Sequence, residues 1–489
     1  MMKILKVLQL TMTSSIYKTL AHLCGPILFL IILLLPIDLL PNQKKFLAIF
    51  SFVVANWLLS SFPLFISGFI GVGLSVLMGV ASAEDALSPF AHSIVFLFLG
   101  GFLFAKAMNE NGLDKRISLF ILSRSFLKGS FKRIILALIG LTAFFSMWVS
   151  NTATTAMMLP ITLGILSSLK INDRKITTLI LLGIAYSANI GGLATPIGST
   201  PNIIAVGLLS ETAKIDISFF EWVSFGFPLV LIFLSIIAWY ILKKIPTNLN
   251  KFDNSFIRND YLTLPKFSKN EKFISVFFLL TIFFWFFPSL CKLFLGSKHE
   301  ITLFAKTRFD SGIVAMFFSS FLFIFPLGEK VKTLKQNDIK NIDWPSLLLF
   351  GTGLSLGKTL FATGLADIIG SGILDIFSSS GVLILLTVLV YFTIFATEVA
   401  SNTATASILI PIIIAMSLNL GEPPQIFSIA IALACSLAFM LPVATPPNAI
   451  VYGSELVEMK DMIKLGFKLN LIFGGLISIL FYCAYKLYF

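Results

Sequence analysis

Charge is what this chain lacks most. Of its 489 residues only 12% are Asp, Glu, Lys or Arg, against 57% hydrophobic, and the mean hydropathy is +0.95. A water-soluble protein of this length could not cover its surface with so few charges, which excludes a soluble domain. Histidine is rarer still: His22, His92 and His299 are far apart, and no two have metal-ligand spacing, so a metal centre is not expected. The four cysteines, Cys24, Cys291, Cys435 and Cys483, are scattered through apolar stretches with no pairing pattern and read as small packing residues. The formal net charge of +12 would suit nucleic acid if it were clustered. Instead the basic residues occupy short segments between apolar runs, as the positive-inside rule expects, so the expected partner is a lipid bilayer and no nucleic acid.

The apolar runs themselves are abundant. Several exceed 18 residues, enough to cross about 30 Å of hydrocarbon; residues 20–40, 274–290 with their flanks, and 465–485 are clear cases. The first is too long for a cleaved signal peptide and no small-x-small site follows it, so it reads as a retained helix. Spans are predicted near 20–40, 45–61, 62–81, 90–108, 176–209, 220–242, 273–295, 311–327, 345–361, 425–454 and 464–486. Two further apolar regions, 133–169 and 381–418, each carry the pentapeptide Ser-Asn-Thr-Ala-Thr, at 150–154 and 401–405, with a proline ten positions after its serine (Pro160, Pro411). Read as re-entrant hairpins, they leave eleven crossings. The expected fold is an all-α polytopic membrane protein of about eleven transmembrane helices plus two re-entrant hairpins. With the N-terminus inside and the segments alternating, 27 basic residues fall inside, 8 outside, and Lys358 within a span. That ratio predicts a cytoplasmic N-terminus, an outer C-terminus and an odd number of crossings.

The chain is also internally repeated. Gly100–Leu113 (GGFLFAKAMNENGL) resembles Thr352–Leu365 (TGLSLGKTLFATGL), with Lys106 matching Lys358 and Gly112 matching Gly364 at an offset of 252. The pentapeptides are offset by 251, and Gly198-Ser199-Thr200-Pro201-Asn202 matches Ala444-Thr445-Pro446-Pro447-Asn448 at 246. Three matches in one order at nearly one offset define a repeat. The predicted organisation is an N-terminal segment with the first helix (1–44), repeat 1 (45–242, hairpin about 133–169, broken helix about 176–209), a polar cytoplasmic linker (243–272) and repeat 2 (273–489, hairpin about 381–418, broken helix about 425–454). Each repeat would hold five crossings and a hairpin. Five is odd, so the second is inserted upside down: an inverted-topology repeat, a signature of secondary transporters.

The polar residues then acquire a reason. A helix that ends inside the membrane leaves backbone groups unpaired, which is tolerated only around a polar cavity. Ser, Asn and Thr cap such ends. The N-terminus of the following half-helix suits a carboxylate, and the carbonyl end of the preceding one suits a small cation. A single copy of the motif reads more readily as helix packing; two copies at matched repeat positions favour a site. Gly191, Gly192, Pro196, Gly198 and Pro201 interrupt the run 176–209, and Pro442, Pro446 and Pro447 interrupt 425–454. Such clusters prevent a continuous helix, although a simple kink is the alternative at each. Asn202 and Asn448, just past the breaks, are candidates to satisfy the freed backbone. Glu398, within an apolar run, reads equally as a functional acid or as a buried structural one. Lys106 and Lys358 are not assigned to the site. No Lys or Arg lies in either motif or break, so a bound dianion would be neutralised by helix ends and co-bound cations. Hydroxyls, amides and unwound carbonyls supply the oxygen that a hard cation such as Na+ prefers.

The two Ser-Asn-Thr motifs, the GSTPN and ATPPN breaks and Thr397-Glu398 ahead of the second motif resemble the divalent anion/Na+ symporter family, carriers of di- and tricarboxylates or sulfate, over nearly the whole chain. The resemblance implies a homodimer, with scaffold and transport domains moving elevator-fashion and no cofactor beyond co-transported Na+. It implies one Na+ site at Ser146, Ser150, Asn151 and the Gly198 backbone, and a second at Thr397, Ala400, Asn402 and the Ala444 backbone. Substrate would meet Asn151, Thr152, Ser199, Asn402, Thr403 and the backbone near Pro446. The chain departs at Thr200, where many members have proline. The expected activity is Na+-coupled import of a small dicarboxylate of the succinate, malate and fumarate class, in a bacterial inner membrane. Its rivals are a Na+-independent exchanger or a sulfate or citrate carrier on the same fold. A membrane enzyme is disfavoured because no His/Cys/Asp set near a membrane face offers the chemistry.

Overall fold

A computed structural model describes residues 15–488, apart from 60–61, 169–170, 172, 246–254, 327–331 and 378–380. The charge expectations resting on Lys3, Lys6, Lys170, Lys251 and Lys330, and the middle of the polar linker, lie outside the described residues. Among the described residues every regular element is helical. Hydrocarbon offers no hydrogen bonds, so the backbone must satisfy itself within each segment.

After α1 (Ser15–Leu34) come α2 (Pro41–Leu59), α3 (Leu64–Leu77), a short α4 (Ala83–Leu87), α5 (Ser93–Glu110), α6 (Leu113–Leu122), the antiparallel pair α7 (Phe131–Ser146) and α8 (Asn151–Ser168), the interrupted pair α9 (Arg174–Gly191) and α10 (Thr200–Ala213), and α11 (Phe219–Lys244). The second half begins after α12 (Ser255–Leu262) in the linker. It runs α13 (Lys269–Leu295), α14 (Glu300–Arg308), α15 (Ser311–Ser320), α16 (Trp344–Ala362), α17 (Leu365–Phe377), the pair α18 (Val382–Thr397) and α19 (Asn402–Asn419), the interrupted pair α20 (Pro424–Cys435) and α21 (Pro446–Tyr452), and α22 (Met459–Tyr488). The order long helix, short surface helix, hairpin, broken helix, long helix occurs in both halves.

Among the described residues five helical segments are long and apolar enough to cross a bilayer: Ala83–Glu110, which joins α4 to α5 through a short 3-10 turn, Phe219–Lys244, Lys269–Leu295, Asn402–Asn419 and Met459–Leu487. The runs 176–209 and 425–454, predicted as spans, each divide at their Gly/Pro cluster into two helices. α6 and α17 are additions that the apolar runs did not announce, being short and polar on one side. Gly112 and Gly364 precede them at φ +68° and +70°, a backbone turn that glycine adopts without cost. In the second half the corner is measurable: α17 bends 83° away from α16. The matched glycines of the repeat therefore mark equivalent corners.

Several hydroxyls inside apolar helices are satisfied locally. Thr142, Thr162, Thr393 and Ser428 each donate to the carbonyl four residues back, at 2.7–2.8 Å, which removes the penalty of burying them. Close helix contacts rest on glycine. A Cβ on Gly191 would lie 2.3 Å from the Ala143 carbonyl oxygen, so α9 lies backbone-to-backbone against the hairpin arm α7. A Cβ on Gly312 would lie 1.9 Å from the Ser93 carbonyl oxygen, where α15 meets the start of α5. Gly312→Ala is expected to destabilise the protein by about 1–3 kcal/mol through overpacking. Gly164→Ala, where a Cβ meets nothing within 4 Å, should be neutral or slightly stabilising. Thermal melting of both variants in detergent checks this; equal melting points would remove the packing constraint at Gly312.

Candidate functional site

Each hairpin turns in four residues, and its second arm opens on the asparagine of the pentapeptide: α8 at Asn151, α19 at Asn402. Ser150 caps α8, its hydroxyl accepting the Ala153 N–H at 3.2 Å. The breaks are stapled identically. Asn202 Nδ2 donates to the carbonyls of Gly192 and Thr195, both at 2.8 Å. Asn448 Nδ2 donates to those of Ala438 and Leu441, both at 3.0 Å. Each pair of acceptors is related to the other by the same 246-residue offset. An unwound carbonyl buried in a membrane protein needs such a donor.

Behind the first tip, Asn151 points one end of its amide at three oxygens: the Ser146 hydroxyl (2.5 Å), the Ala188 carbonyl (3.2 Å) and the Gly198 carbonyl (3.3 Å). With nitrogen at that end, the amide donates to all three. With oxygen there, four oxygens crowd one point. Behind the second tip, the Thr397 hydroxyl contacts Asn402 Oδ1 at 2.7 Å and the Cys435 carbonyl at 2.8 Å. Its single hydrogen serves only one of those acceptors. The second tip thus has more acceptors than hydrogens, and the first does when the Asn151 amide turns its oxygen inward.

The two tips and the two breaks enclose one cavity of about 450 Å³. Its wall holds Ser150, Asn151, Thr152, Gly198 and Ser199 from the first half, and Ala400, Asn402, Thr403, Ala444 and Pro446 from the second. Ser146 and Thr397, fully buried, stand behind it. The structure therefore brings all twelve sequence-predicted residues to one place. Thr200, the departure from the family pattern, also lines the wall. α8, α10, α19 and α21 open on the cavity with their N-terminal residues and partial positive charge; α8 and α19 also turn unpaired N–H groups toward it, whereas Pro201, Pro446 and Pro447 at the starts of the other two have no N–H to offer. No Lys or Arg is on the wall among the described residues. Asp343, at the start of α16, is its one acid and is engaged by the Ser346 N–H and hydroxyl.

Several participants were missed by sequence reasoning. Asn189 Nδ2 reaches Thr445 Oγ1 at 3.1 Å, and the Ser199 and Ser436 hydroxyls meet at 2.8 Å. Both contacts tie one break to the other. Ser199 and Thr445 are repeat counterparts, but Asn189 and Ser436 are one residue out of the 246 register, so the repeat alone did not announce these contacts. Glu398 is off the cavity wall. Its carboxylate accepts the N–H groups of Phe439 (2.7 Å), Met440 (2.8 Å) and Leu441 (3.1 Å) and the Asn470 amide (2.7 Å). Lys106 pairs with Glu110 at 2.6 Å, and Lys358 with Glu211 at 3.2 Å; neither lines the cavity.

Comparison with known proteins gives concordant results. The family pattern described as the sodium:sulfate symporter transmembrane region matches residues 16–487. An uncharacterized transporter of Haemophilus influenzae is 36% identical, covering 91% of this chain and 92% of its own. The sodium-dependent dicarboxylate transporter SdcS of Staphylococcus saprophyticus is 34% identical (92% of this chain, 88% of its own), and that of Staphylococcus aureus strain USA300 is 33% identical (94% and 89%). Among solved structures, the YdaH transporter of Alcanivorax borkumensis shares the fold with a TM-score of 0.52 at 14% identity, over 84% of this chain and 88% of that one.

Proposed function

Because this chain belongs to the sodium:sulfate symporter family, and is thus an integral-membrane transporter and not an enzyme, we propose that it imports small dicarboxylates of the succinate, malate and fumarate class by coupling them to Na+. The observation that carries this reading is the matched clustering of oxygen atoms behind the two tips, beside the α8 and α19 N-termini that turn N–H groups into the same cavity. A cation relieves the first and an anion uses the second. One Na+ is held by Ser146, Ser150, Asn151 and the Gly198 carbonyl, another by Thr397, Ala400, Asn402 and the Ala444 carbonyl. The two carboxylates of the substrate are met by Asn151, Thr152 and Ser199 on one side and by Asn402, Thr403 and the backbone near Pro446 on the other. Two donor sets facing each other favour a two-ended anion over sulfate, and the relatives named as sodium-dependent dicarboxylate transporters agree with that choice.

In this reading the protein is a homodimer in a bacterial inner membrane, with its N-terminus in the cytoplasm, its C-terminus outside and eleven crossings. The hairpins and broken helices form a transport domain that shifts past a scaffold holding α5 and α16. The Lys358–Glu211 pair bridges α16 and α10 and would part during that shift. Proteoliposome uptake is the test. Succinate entry should require an inward Na+ gradient, and unlabelled malate and fumarate should compete better than sulfate or citrate. Entry indifferent to Na+ would establish the exchanger, and stronger competition by sulfate would establish the sulfate carrier.

A further inference from the structure

We propose that Lys358 is a two-position ionic switch: it bridges to Glu211 in the state of this structure, and Asp85 and Ser88 hold it when the transport domain shifts. The proposal rests on the moving-domain reading above. A counterpart pair marks the state. Val443 on the second break is 76% exposed, whereas Ile197, its match on the first break at the 246-residue offset, is 7% exposed; both line the cavity. The cavity is therefore open beside the second break and closed beside the first. Its wall reaches Asp343 and Ser346 at one end of α16. Lys358 lies twelve residues beyond Ser346 on the same helix, about 18 Å further along it.

α10 and α16 meet there through apolar surface at close range. A Cβ on Gly207 would lie 2.9 Å from the Leu354 side chain, and one on Gly357 would lie 2.5 Å from that of Leu208. Among the described residues the one polar contact between the two helices is Lys358 with Glu211, at 3.2 Å. Apolar contact is non-directional and lets one helix slide past the other. A single ion pair then favours one position of the slide.

The other partners of Lys358 travel with it. Its Nζ is 3.6 Å from Asp85 and 3.2 Å from the Ser88 hydroxyl. Both residues are fastened to α16. The Ser355 hydroxyl donates to the Ala86 carbonyl at 2.7 Å, and a Cβ on Gly351 would lie 2.3 Å from the Phe90 ring. Glu211, by contrast, belongs to α10 and the moving domain. A half-buried ammonium that lost every acid would be penalised; Asp85 removes that penalty. The two states therefore differ by one partly exposed ion pair, which biases the equilibrium about two- to fivefold. In the first half the matching lysine, Lys106, pairs with Glu110 on its own helix, so the switch is built into one repeat only.

Val443→Cys and Ile197→Cys, labelled with a small maleimide in detergent and followed by mass at that position, read the two states. The ratio of their labelling rates, Val443 over Ile197, follows the equilibrium whichever state dominates. Glu211→Gln should lower it about two- to fivefold, because it weakens this state alone. Asp85→Asn should raise it, because it weakens the shifted state more. In a Lys358→Met background neither variant should move it. An unchanged ratio in both acid variants, a shift in the same direction in both, or a full effect of Glu211→Gln without the lysine overturns the proposal. Na+ with succinate, added to the parent reporters, should also move the ratio. A ratio that responds to these ligands but not to the acid variants defeats the switch alone; one that the ligands leave unmoved defeats the moving-domain reading and the switch with it.

Discussion

Asn151→Ala and Asn402→Ala are each expected to lower Na+-driven succinate uptake at least about a hundredfold, equivalent to roughly 2.7 kcal/mol of lost binding. In the proposed function each amide acts on two ligands at once. Asn151 faces the Ser146 hydroxyl and two main-chain carbonyls on its inner side and lines the cavity on its outer side. Asn402 does the same through Thr397, whose hydroxyl also reaches the Cys435 carbonyl. Alanine removes an oxygen from the ion and a donor from the anion together, and because the two ligands are coupled the losses reinforce each other. Folding should survive, since each residue sits in the first turn of a helix whose backbone hydrogen bonds remain. Detergent-solubilised protein should therefore elute and melt like wild type. Asn151→Asp separates the two roles: it keeps oxygen toward the ion but adds negative charge toward the substrate, so Na+ binding should persist while succinate binding is lost. A near-normal uptake rate in either alanine variant would remove that tip from the site.

Much of this architecture was legible because membranes impose simple rules. Apolar runs located the long helices, and the repeated pentapeptides located both hairpins. The Gly/Pro clusters located both breaks, since a residue such as Pro196 or Pro446 cannot continue a helix through its own missing N–H. Other features carry no such mark. α6 and α17 are short and half polar, so their hydropathy resembles a loop. The contacts Asn189–Thr445 and Ser199–Ser436 join residues over 230 positions apart, and no local pattern relates them. Glu398 was ambiguous because a buried carboxylate looks the same in sequence whether it meets a ligand or the backbone.

The structure resolves that ambiguity and makes Glu398 the second site of large effect. Its carboxylate takes three consecutive backbone N–H groups from the unwound segment after α20, together with Asn470 from α22. Unwinding frees those N–H groups, and at 4% exposure Glu398 has little water around it to take them instead. Glu398→Ala should therefore cost at least about 3 kcal/mol, since each donor left buried and unpaired costs roughly 1–3 kcal/mol. Glu398→Gln preserves shape, but it turns an NH2 toward donors and should also lower the melting temperature, by less. Uptake should fall in both, because the segment Glu398 holds leads directly into Ala444 and Pro446 on the cavity wall. The first half supplies the comparison. There the position equivalent to Glu398 is Met147, whose carbonyl accepts a single hydrogen bond from the Thr195 hydroxyl. Thr195→Val removes that bond and the one the hydroxyl accepts from the Gly198 N–H, and should cost about 1–2 kcal/mol. Melting curves that rank Glu398→Ala well below Thr195→Val would establish that the two half-sites, alike in their ion-facing residues, are anchored by different chemistry: a neutral hydroxyl in one and a carboxylate in the other. Wild-type melting and uptake in Glu398→Gln would show that the carboxylate anchors nothing.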